Sequence, residues 1–488
     1  MNQDYALVFR GHRFCYEVQA VAKLFFPGER FLLCEDGVVP DRDHILTEIR
    51  DGSVLHVRLH LQGREMEREQ ISRDGQEYAL CRMMFDMLVT MTGYQPPWGM
   101  LTGIRPVRKL VQAVGKGATM EEAVADLQEC YLVSEEKLRL ARQCALVQMP
   151  MLPHSPKEIG VYVSIPFCPT RCSYCSFVSH SMETAARLIP AYVERLVDEI
   201  RTLGEIIREY GLKVHSLYVG GGTPTAIPAK DLQRVLAALS QELDLSGCRE
   251  YTVEAGRPDT IDRERLAVIR DAGVSRISVN PQTLQDSVLQ AIGRRHTAQQ
   301  AVDAFRLARK MGFDDINMDL IAGLPTDTSE GFADTLAGVM SLCPDSITVH
   351  TLTVKRAAAL YQKAYHENTA IAEVERMTAL SASALPAHGY QPYYLYRQKN
   401  TLGNLENVGY AKPGKENLYN ILIMDETQTI LGVGCAASTK VVSPDGDITR
   451  IMNYKFPYEY IDRFAQMMEK KQELRRRLAD METRYAEE

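Results

Sequence analysis

Three cysteines of this sequence stand close together in a pattern that suits iron–sulfur chemistry. Cys168, Cys172 and Cys175 lie in the stretch VYVSIPFCPTRCSYCSFV with the spacing C-x3-C-x2-C. Iron–sulfur clusters are held by cysteine thiolates, normally four of them. Because no fourth cysteine lies nearby, one iron of a cubane cluster would keep an open position for a ligand, as a catalytic zinc does. Incidental thiols and a structural zinc site are the alternatives.

A glycine-rich turn and several polar residues also suit a ligand site. The turn is Gly220–Thr225, GGGTPT, and glycines let a ligand approach the backbone closely, although a plain tight turn has the same composition. The polar residues lie at or near the ends of apolar segments, where buried polar atoms need partners; they are Glu254, Gln282, Arg294 and Asp319. Asp319 can accept hydrogen bonds from ribose hydroxyls, and Arg294 can pair with a carboxylate. Satisfied strand-end polar groups that hold loops are the alternative.

The elements around these residues alternate between strand and helix from residue 160 to about 353. We predict strands at Val161–Ile165, Val214–Val219, Tyr251–Glu254, Arg276–Val279, Ile316–Leu320 and Ile347–Thr351. Strands that alternate with helical stretches predict βαβ units and a parallel sheet. The fold class is therefore α/β: a partial (β/α)6 TIM-like barrel with an N-terminal α/β module and a C-terminal extension. In such a barrel the active site lies at the C-terminal ends of the strands, where the residues above are expected.

The flanking regions give the predicted domain organisation: residues 1–149 form the module, 150–159 a proline-spaced linker, 160–360 the barrel and 361–488 the extension. In the module, Val54–Leu61 alternates as a half-buried strand, and its histidines indicate a solvated face or, alternatively, metal ligands. A capping box at Thr119 opens a helix at Met120–Tyr131. The charged tail after Tyr458 predicts a solvated amphipathic helix or, alternatively, a partner-binding helix.

The composition narrows the classes of protein to which this sequence can belong. The 488 residues are 45% hydrophobic and carry a net charge of −7, which argues against a general nucleic-acid binder. The N-terminal sequence predicts no signal segment, and no apolar run reaches the length of a membrane span. Eleven cysteines at irregular spacing fit a reducing compartment better than a disulfide framework. We therefore expect a cytoplasmic protein.

The cysteine loop resembles that of radical S-adenosylmethionine (SAM) enzymes. The segments YVSIPFC and GGGTPT resemble the oxygen-independent coproporphyrinogen III oxidase group, and TVEAGRPDT and PYYLYRQKN are most similar to its HemZ-type branch. This resemblance implies a 4Fe–4S cluster and SAM as cofactors. It implies Cys168, Cys172 and Cys175 as cluster ligands. It implies SAM contacts at Tyr162, Tyr174, Gly221, Gly222, Thr223 and Glu254. Gln282, Arg294 and Asp319 match positions that contact a second SAM in the best-known branch, with Thr353 a further candidate; no further catalytic residue is assigned.

Two departures from the family pattern bear on function. The best-known branch continues its loop as C-x-C, whereas Phe177 stands at that place here, which weakens the case for two SAM molecules. The related haem-chaperone branch carries a His-Asn-x-x-Tyr-Trp motif. The nearest match is Glu406–Ala411, which lacks the histidine and the tryptophan. That difference argues against a copied haem-chaperone site.

The resemblance implies a radical SAM oxidoreductase of haem biosynthesis that converts propionates of a tetrapyrrole substrate to vinyls, with an electron donor and an acceptor that it does not identify. Arg294, Arg105 and Arg397 are candidates for binding substrate carboxylates. A haem-binding or haem-delivery protein that keeps the cluster is the first alternative. Another radical SAM reaction on a tetrapyrrole is the second. Cys435, in a glycine-rich turn, is either a fourth cluster ligand or a small buried residue.

Overall fold

The computed structural model describes residues 5–27, 29–35, 37–103, 105–353, 368–398 and 401–487. The chain forms two compact units. The first comprises Met1–Arg142, His366–Ala372 and Arg397–Glu406, and the second comprises Gln143–Tyr365, Glu373–Tyr396 and Asn407–Glu488. The domain boundaries given above remain a prediction. Among the described residues, no helix combines the length and the apolar character that crossing a membrane would require.

The first unit contains a five-stranded sheet in the order β2-β1-β3-β4-β5. The elements up to residue 148 are β1 (Tyr5–Arg10), α1 (Cys15–Phe25), β2 (Phe31–Cys34), β3 (Asp43–Arg50), β4 (Val54–Leu61), β5 (Arg64–Ile71), α2 (Gln76–Thr92), α3 (Pro106–Gly115), α4 (Met120–Tyr131) and α5 (Glu135–Gln148). The predicted strand β4 and the predicted helix α4 have the bounds expected, and α4 begins at the capping box of Thr119 and Glu122.

The alternation of β4 separates an apolar face from a charged one. Leu55, Val57 and Leu59 are fully buried. On the other face, His56 is buried rather than solvated, because its imidazole lies between Glu67 and the guanidinium of Arg50. An arginine in contact with both the histidine and Glu69 brings its own positive charge, which disfavours the metal alternative at this face.

The elements from residue 158 onward build the second sheet and its helices. They are β6 (Glu158–Ile165), β7 (Phe167–Cys168), β8 (His180–Ser181), α6 (Met182–Ala185), α7 (Ile189–Glu209), β9 (Lys213–Gly221), α8 (Ala229–Glu242), β10 (Glu250–Glu254), α9 (Arg263–Asp271), β11 (Arg276–Ser278), α10 (Asp286–Ala291), α11 (Ala298–Lys310), β12 (Ile316–Ala322), α12 (Ser329–Ser341), β13 (Ser346–Thr351), α13 (Asn368–Ala387), β14 (Gln391–Arg397), β15 (Glu406–Ala411), α14 (Leu418–Asp425), β16 (Ile430–Val433), β17 (Ser438–Val442), β18 (Ile448–Met452), α15 (Pro457–Asp462) and α16 (Phe464–Glu487).

The predicted partial barrel is confirmed. Its six strands lie side by side in the order β13-β12-β11-β10-β9-β6, and each pairs parallel with its neighbour. The sheet extends beyond the prediction at both edges. At one edge β16 joins β6 in parallel, followed by the antiparallel strands β17 and β18; at the other, β15 joins β13 antiparallel, followed by β14. These added strands interrupt the strand–helix rhythm on which the prediction was based.

Residues along the barrel strands alternate between two environments. Val161, Val163 and Ile165 of β6 have no exposed surface. The other face of the sheet carries polar and aromatic side chains. Tyr162 stacks on Tyr218 with ring centroids 6.2 Å apart, and Tyr218 stacks on Tyr419 of α14 at 4.5 Å. One face of the barrel sheet is therefore apolar, and the other is polar and aromatic.

The tail helix α16 is docked rather than solvated. Met467, Leu474 and Leu478 are buried, and the helix packs on α7 within the second unit. Lys471 contributes a buried ion pair to Glu199 of α7, with Nζ and Oε1 2.7 Å apart.

Candidate functional site

The cysteine loop leaves the C-terminal end of β6 and is tied down at several points. The amide of His180 donates to the carbonyl of Pro166 at 2.8 Å, which brings the two ends of the loop together. The amide of Cys175 donates to the carbonyl of Cys172 at 3.2 Å, so these two cysteines share one tight turn. Cys168, Cys172 and Cys175 form no disulfide. The loop thus offers three unpaired thiols from a short, closed segment.

The environment of the thiols favours their neutral form when no metal is bound. Burial raises the pKa of Cys168, against hydrogen bonds from Thr223 and Ser179 that act to lower it. Burial also raises the pKa of Cys175 to about 11, and the charges of Cys172 and Cys168 add to that rise. Because thiolates are the form that binds metal, loading this loop would release protons.

The glycine-rich turn lies directly against the cysteine loop. The amide of Gly222 donates to the carbonyl of Ile165 at 2.8 Å, and the hydroxyl of Thr223 lies 3.5 Å from Sγ of Cys168. Gly221 has a φ of +112°, a backbone conformation that residues other than glycine rarely adopt. A Cβ on Gly222 would lie 3.0 Å from Sγ of Cys168. Glycine is therefore required at both positions by backbone conformation and by close approach.

Glu254 ends β10 beside the same turn. The hydroxyl of Tyr218 donates to its Oε1 at 2.6 Å, and a Cβ on Gly220 would lie 3.0 Å from its carboxyl carbon. Burial raises the pKa of Glu254 to about 7, against a hydrogen bond from Tyr218 that lowers it, and the charge of Asp319 adds to the rise. Carboxyl groups with a pKa perturbed this far cluster at functional sites.

Gln282, which follows β11, contacts Asp319 at the middle of β12. Burial acts to raise the pKa of Asp319, but hydrogen bonds from His350, Asn317 and Thr348 outweigh it and lower the pKa. The amide of Gln282 donates to the carbonyl of Asp319 at 3.0 Å. Gln282 has a φ of +70°. This left-handed conformation is uncommon outside glycine and is often found at functional sites.

Arg294 lies against the cysteine loop. Its Nη2 donates to the hydroxyl of Tyr174 at 3.2 Å, between the second and third cysteines, and its Nη1 donates to the carbonyl of Asn280 at 2.6 Å. Thr353 follows β13, and its hydroxyl donates to the carbonyl of Thr351 at 3.4 Å. The contacts described above thus bring together predicted site residues that lie on strands β6, β9, β10 and β12 or in the connections that follow β6, β9 and β11.

Arg257 was not predicted from the sequence. It is 4% exposed and lies just after β10, in the connection to α9 and in the segment EAGRPDT. Its Nη1 lies 3.6 Å from Sγ of Cys172, and its Nη2 donates to the hydroxyl of Thr170 at 3.2 Å. The signal that could have found it is an arginine followed two residues later by an aspartate, directly after a strand end.

Two further candidates have other partners. The guanidinium of Arg397 donates to the carbonyls of Leu101 and Asn404 and lies over the ring of Trp98. Its donors therefore stabilise the first unit's backbone, which disfavours the predicted role in binding substrate carboxylates. Cys435 is fully buried, and its thiol donates to the carbonyl of Lys455 at 3.0 Å, as expected of a small buried residue.

Other positions named in the sequence have these places. Arg105 stands at the N-cap of α3 in the first unit. Asn407, in the segment compared with the haem-chaperone motif, braces the sheet: its Oδ1 accepts from the amide of Thr351 at 2.9 Å, and its Nδ2 donates to the carbonyl of Tyr396. Phe177, which stands in place of a further cysteine, is 69% exposed.

The site contains buried polar atoms without partners. Among the described residues, Oδ1 of Asn280, Oγ of Ser278 and Oγ1 of Thr252 have no hydrogen-bond partner. Buried polar groups rarely lack a partner, and these three lie within or just after β10 and β11. With three free thiols and a glycine turn that approaches one of them, these residues fit a metal cluster held by cysteine and a polar nucleotide ligand beside it.

Comparison with known proteins agrees with this chemistry. Residues 162–337 match the Radical SAM superfamily. The chain is 41% identical over 392 residues to the oxygen-independent coproporphyrinogen-III oxidase-like protein HemZ of Bacillus subtilis, with 79% of this chain and 78% of HemZ covered. It is 30% identical to the heme chaperone HemW of Haemophilus influenzae, with 64% of this chain and 77% of HemW covered.

A solved structure shares the fold. Coproporphyrinogen III oxidase (HemN) of Escherichia coli, described as a radical SAM enzyme, superposes with a TM-score of 0.50 at 22% identity, covering 66% of this chain and 72% of HemN. The superfamily implies a 4Fe–4S cluster and SAM. The chain belongs to the radical SAM superfamily and, within it, to the family of the oxygen-independent coproporphyrinogen-III oxidase-like protein HemZ.

Proposed function

We propose that this protein is a radical SAM oxidoreductase that decarboxylates propionate side chains of a porphyrinogen oxidatively to vinyl groups. The observation that carries the proposal is the set of three free thiols, Cys168, Cys172 and Cys175, closed into one loop against the glycine turn. The 41% identity to HemZ supports the tetrapyrrole substrate, because that relative is described as coproporphyrinogen-III oxidase-like.

In this proposal the three cysteines hold a 4Fe–4S cluster. When bound, the cluster supplies the electron for reductive cleavage of SAM and thus the radical that removes a substrate hydrogen. The loop's own part is to hold three thiolates close together and to leave one iron without a protein ligand. The absence of a side chain at Gly222 lets the glycine turn lie directly against Cys168.

The surrounding residues would bind and orient SAM. Glu254 and Asp319 differ in protonation: the pKa of Glu254 is raised by burial to about 7, whereas the hydrogen bonds of Asp319 keep its carboxyl group charged. A charged, buried carboxylate accepts strong hydrogen bonds from hydroxyls or amines. The further proposed contacts are Tyr162, Tyr174, Gly221, Gly222, Thr223, Gln282 and Arg294.

The conversion of each propionate releases one hydrogen atom, one electron and one molecule of carbon dioxide. Removal of a hydrogen atom from the propionate, followed by loss of carbon dioxide and of one electron to an acceptor, leaves a vinyl group. The stacked rings of Tyr218 and Tyr419 would help to exclude water from the site, which strengthens the electrostatic interactions within it.

Haem binding or delivery is the second candidate function, and the similarity to HemW favours it. Against it stands Asn407, whose side chain is engaged by the amide of Thr351 and the carbonyl of Tyr396. In this chain the asparagine of the compared motif thus has a role in holding strands together.

An anaerobic product assay separates the two functions. Reconstituted protein is incubated with coproporphyrinogen III, SAM and dithionite, and porphyrin products, carbon dioxide and 5′-deoxyadenosine are measured. Haem binding is measured in parallel by a spectroscopic titration. Vinyl products with stoichiometric carbon dioxide are expected, and Asp319→Asn should reduce their formation. Asp334→Asn, at an exposed position of α12, is the control. Tight haem binding without decarboxylation would contradict the oxidase and support the carrier.

A further inference from the structure

The guanidinium of Arg257 occupies a defined position at the cysteine loop. Its Nε and Nη2 contact the two carboxylate oxygens of Asp259, each at 3.0 Å. This two-point contact fixes the plane and direction of the guanidinium. With that edge held, Nη1 points to Sγ of Cys172 at 3.6 Å and to the carbonyl of Thr170 at 3.4 Å.

The backbone of Arg257 is held as firmly as its side chain. Its carbonyl accepts from both the amide and the hydroxyl of Thr260, at 2.9 and 2.8 Å. The hydroxyl of Thr260 also lies 2.6 Å from the hydroxyl of Thr225, in the glycine-rich turn. The segment Arg257–Thr260 thus contacts both regions: Thr260 contacts the glycine-rich turn, and the buried side chain of Arg257 contacts the cysteine loop.

Burying a guanidinium is costly unless its charge and its donors have partners. Asp259 neutralises the charge in part, but within the described part of the chain the donors of Nη1 face a carbonyl and a thiol. A thiolate at Cys172 would complete this arrangement. Hydrogen bonds to cysteine sulfur and nearby charge are the means by which proteins set the reduction potential of iron–sulfur clusters.

We infer that Arg257 is a positioning residue that holds Cys172 as a cluster ligand and stabilises the reduced, more negative form of the cluster. The inference rests on the proposed function, because it requires the cluster at Cys172. An arginine is suited to this place because its charge persists at all relevant pH values and its planar fork can contact Asp259 and the sulfur together.

The test uses the full chain, reconstituted with iron and sulfide without oxygen. Iron and sulfide content are measured first, and the midpoint potential of the cluster is then determined by a reductive titration followed by electron paramagnetic resonance. The variants are Arg257→Gln, which removes the charge, and Arg257→Lys, which keeps it without the fork. Arg265→Gln is the matched control. The partners of Arg265 are Asp262 and the carbonyl of Ile227 rather than a cysteine.

We expect a more negative midpoint potential in Arg257→Gln, a smaller shift in the same direction in Arg257→Lys, and none in Arg265→Gln. An unchanged potential in Arg257→Gln at full iron content would overturn the inference and leave the proposed function standing. If Arg257→Gln holds no cluster, the decision rests on Arg257→Lys, where a lowered potential supports the inference and an unchanged one overturns it. A wild-type protein without a cluster would overturn the proposed function itself.

Discussion

The hydroxyl of Tyr218 donates a 2.6 Å hydrogen bond to the carboxyl group of Glu254, at the end of the neighbouring strand. Burial nevertheless raises the pKa of Glu254 to about 7 from its ordinary 4.5. The folded state therefore holds this proton more tightly than the unfolded chain. The resulting stabilisation is complete below about pH 4.5 and is lost as the pH rises through about 7.

Glu254→Gln removes this pH dependence. Relative to wild type, the variant should gain roughly 3 kcal/mol in free energy of unfolding between pH 4.5 and pH 7.5, since each pKa unit corresponds to about 1.4 kcal/mol. Urea unfolding of the protein without cofactors at both pH values measures the difference. Glu264→Gln, on the exposed side of α9, is the control. Parallel pH profiles of wild type and Glu254→Gln would refute the raised pKa.

Gly222→Ala tests the close approach of the glycine turn to the cysteine loop. The added Cβ would lie 2.7 Å from the carbonyl oxygen of Phe167 and 3.0 Å from Sγ of Cys168. The variant should lose about 1–3 kcal/mol of stability and most of its reconstituted iron. Gly247→Ala is the matched control, because its Cβ would meet no atom within 4 Å. Equal iron content in both variants would show that the contact is not needed.

The ion pair between Lys471 and Glu199 tests whether α16 is part of the fold. Lys471→Met leaves a buried carboxylate that is 0% exposed without its cation, which should cost about 3–5 kcal/mol. Adding Glu199→Gln in the same chain should recover part of that loss. Lys470→Met is the control, since Lys470 donates to the carbonyl of Met452 near the surface. The midpoints of urea unfolding measure all three; equal midpoints for the two lysine variants would contradict the buried pair.

The sequence allowed the barrel to be predicted because its strands are short apolar runs separated by helices. Strand β12 illustrates this, because it was predicted at Ile316–Leu320 and pairs parallel with both neighbours. It continues to Ala322, so Asp319 lies at its middle rather than near its end. The added strands β14 to β18 could not be predicted in this way. They pair antiparallel or return to β6 from far along the chain, so no local pattern indicates their partners.

Residues whose role depends on distant partners were also missed. Lys471 interrupts an apolar stripe of α16, and in the sequence nothing distinguishes it from the other charged residues of that helix. Its pairing with Glu199 is evident from the packing of α16 on α7. Arg257 likewise needs the fold, because Cys172 lies 85 residues earlier in the chain. Conversely, Arg397 suited a carboxylate-binding role in the sequence, but backbone carbonyls occupy its donors.

The most direct test of the account compares wild type with Cys172→Ala after anaerobic reconstitution, with Cys343→Ala, an exposed cysteine, as control. Iron, sulfide and the 5′-deoxyadenosine formed from SAM with dithionite are measured in each protein. We predict close to four iron and four sulfide per chain and SAM cleavage in wild type and in Cys343→Ala, and the loss of both in Cys172→Ala. A Cys172→Ala protein that keeps its cluster and cleaves SAM would contradict the account.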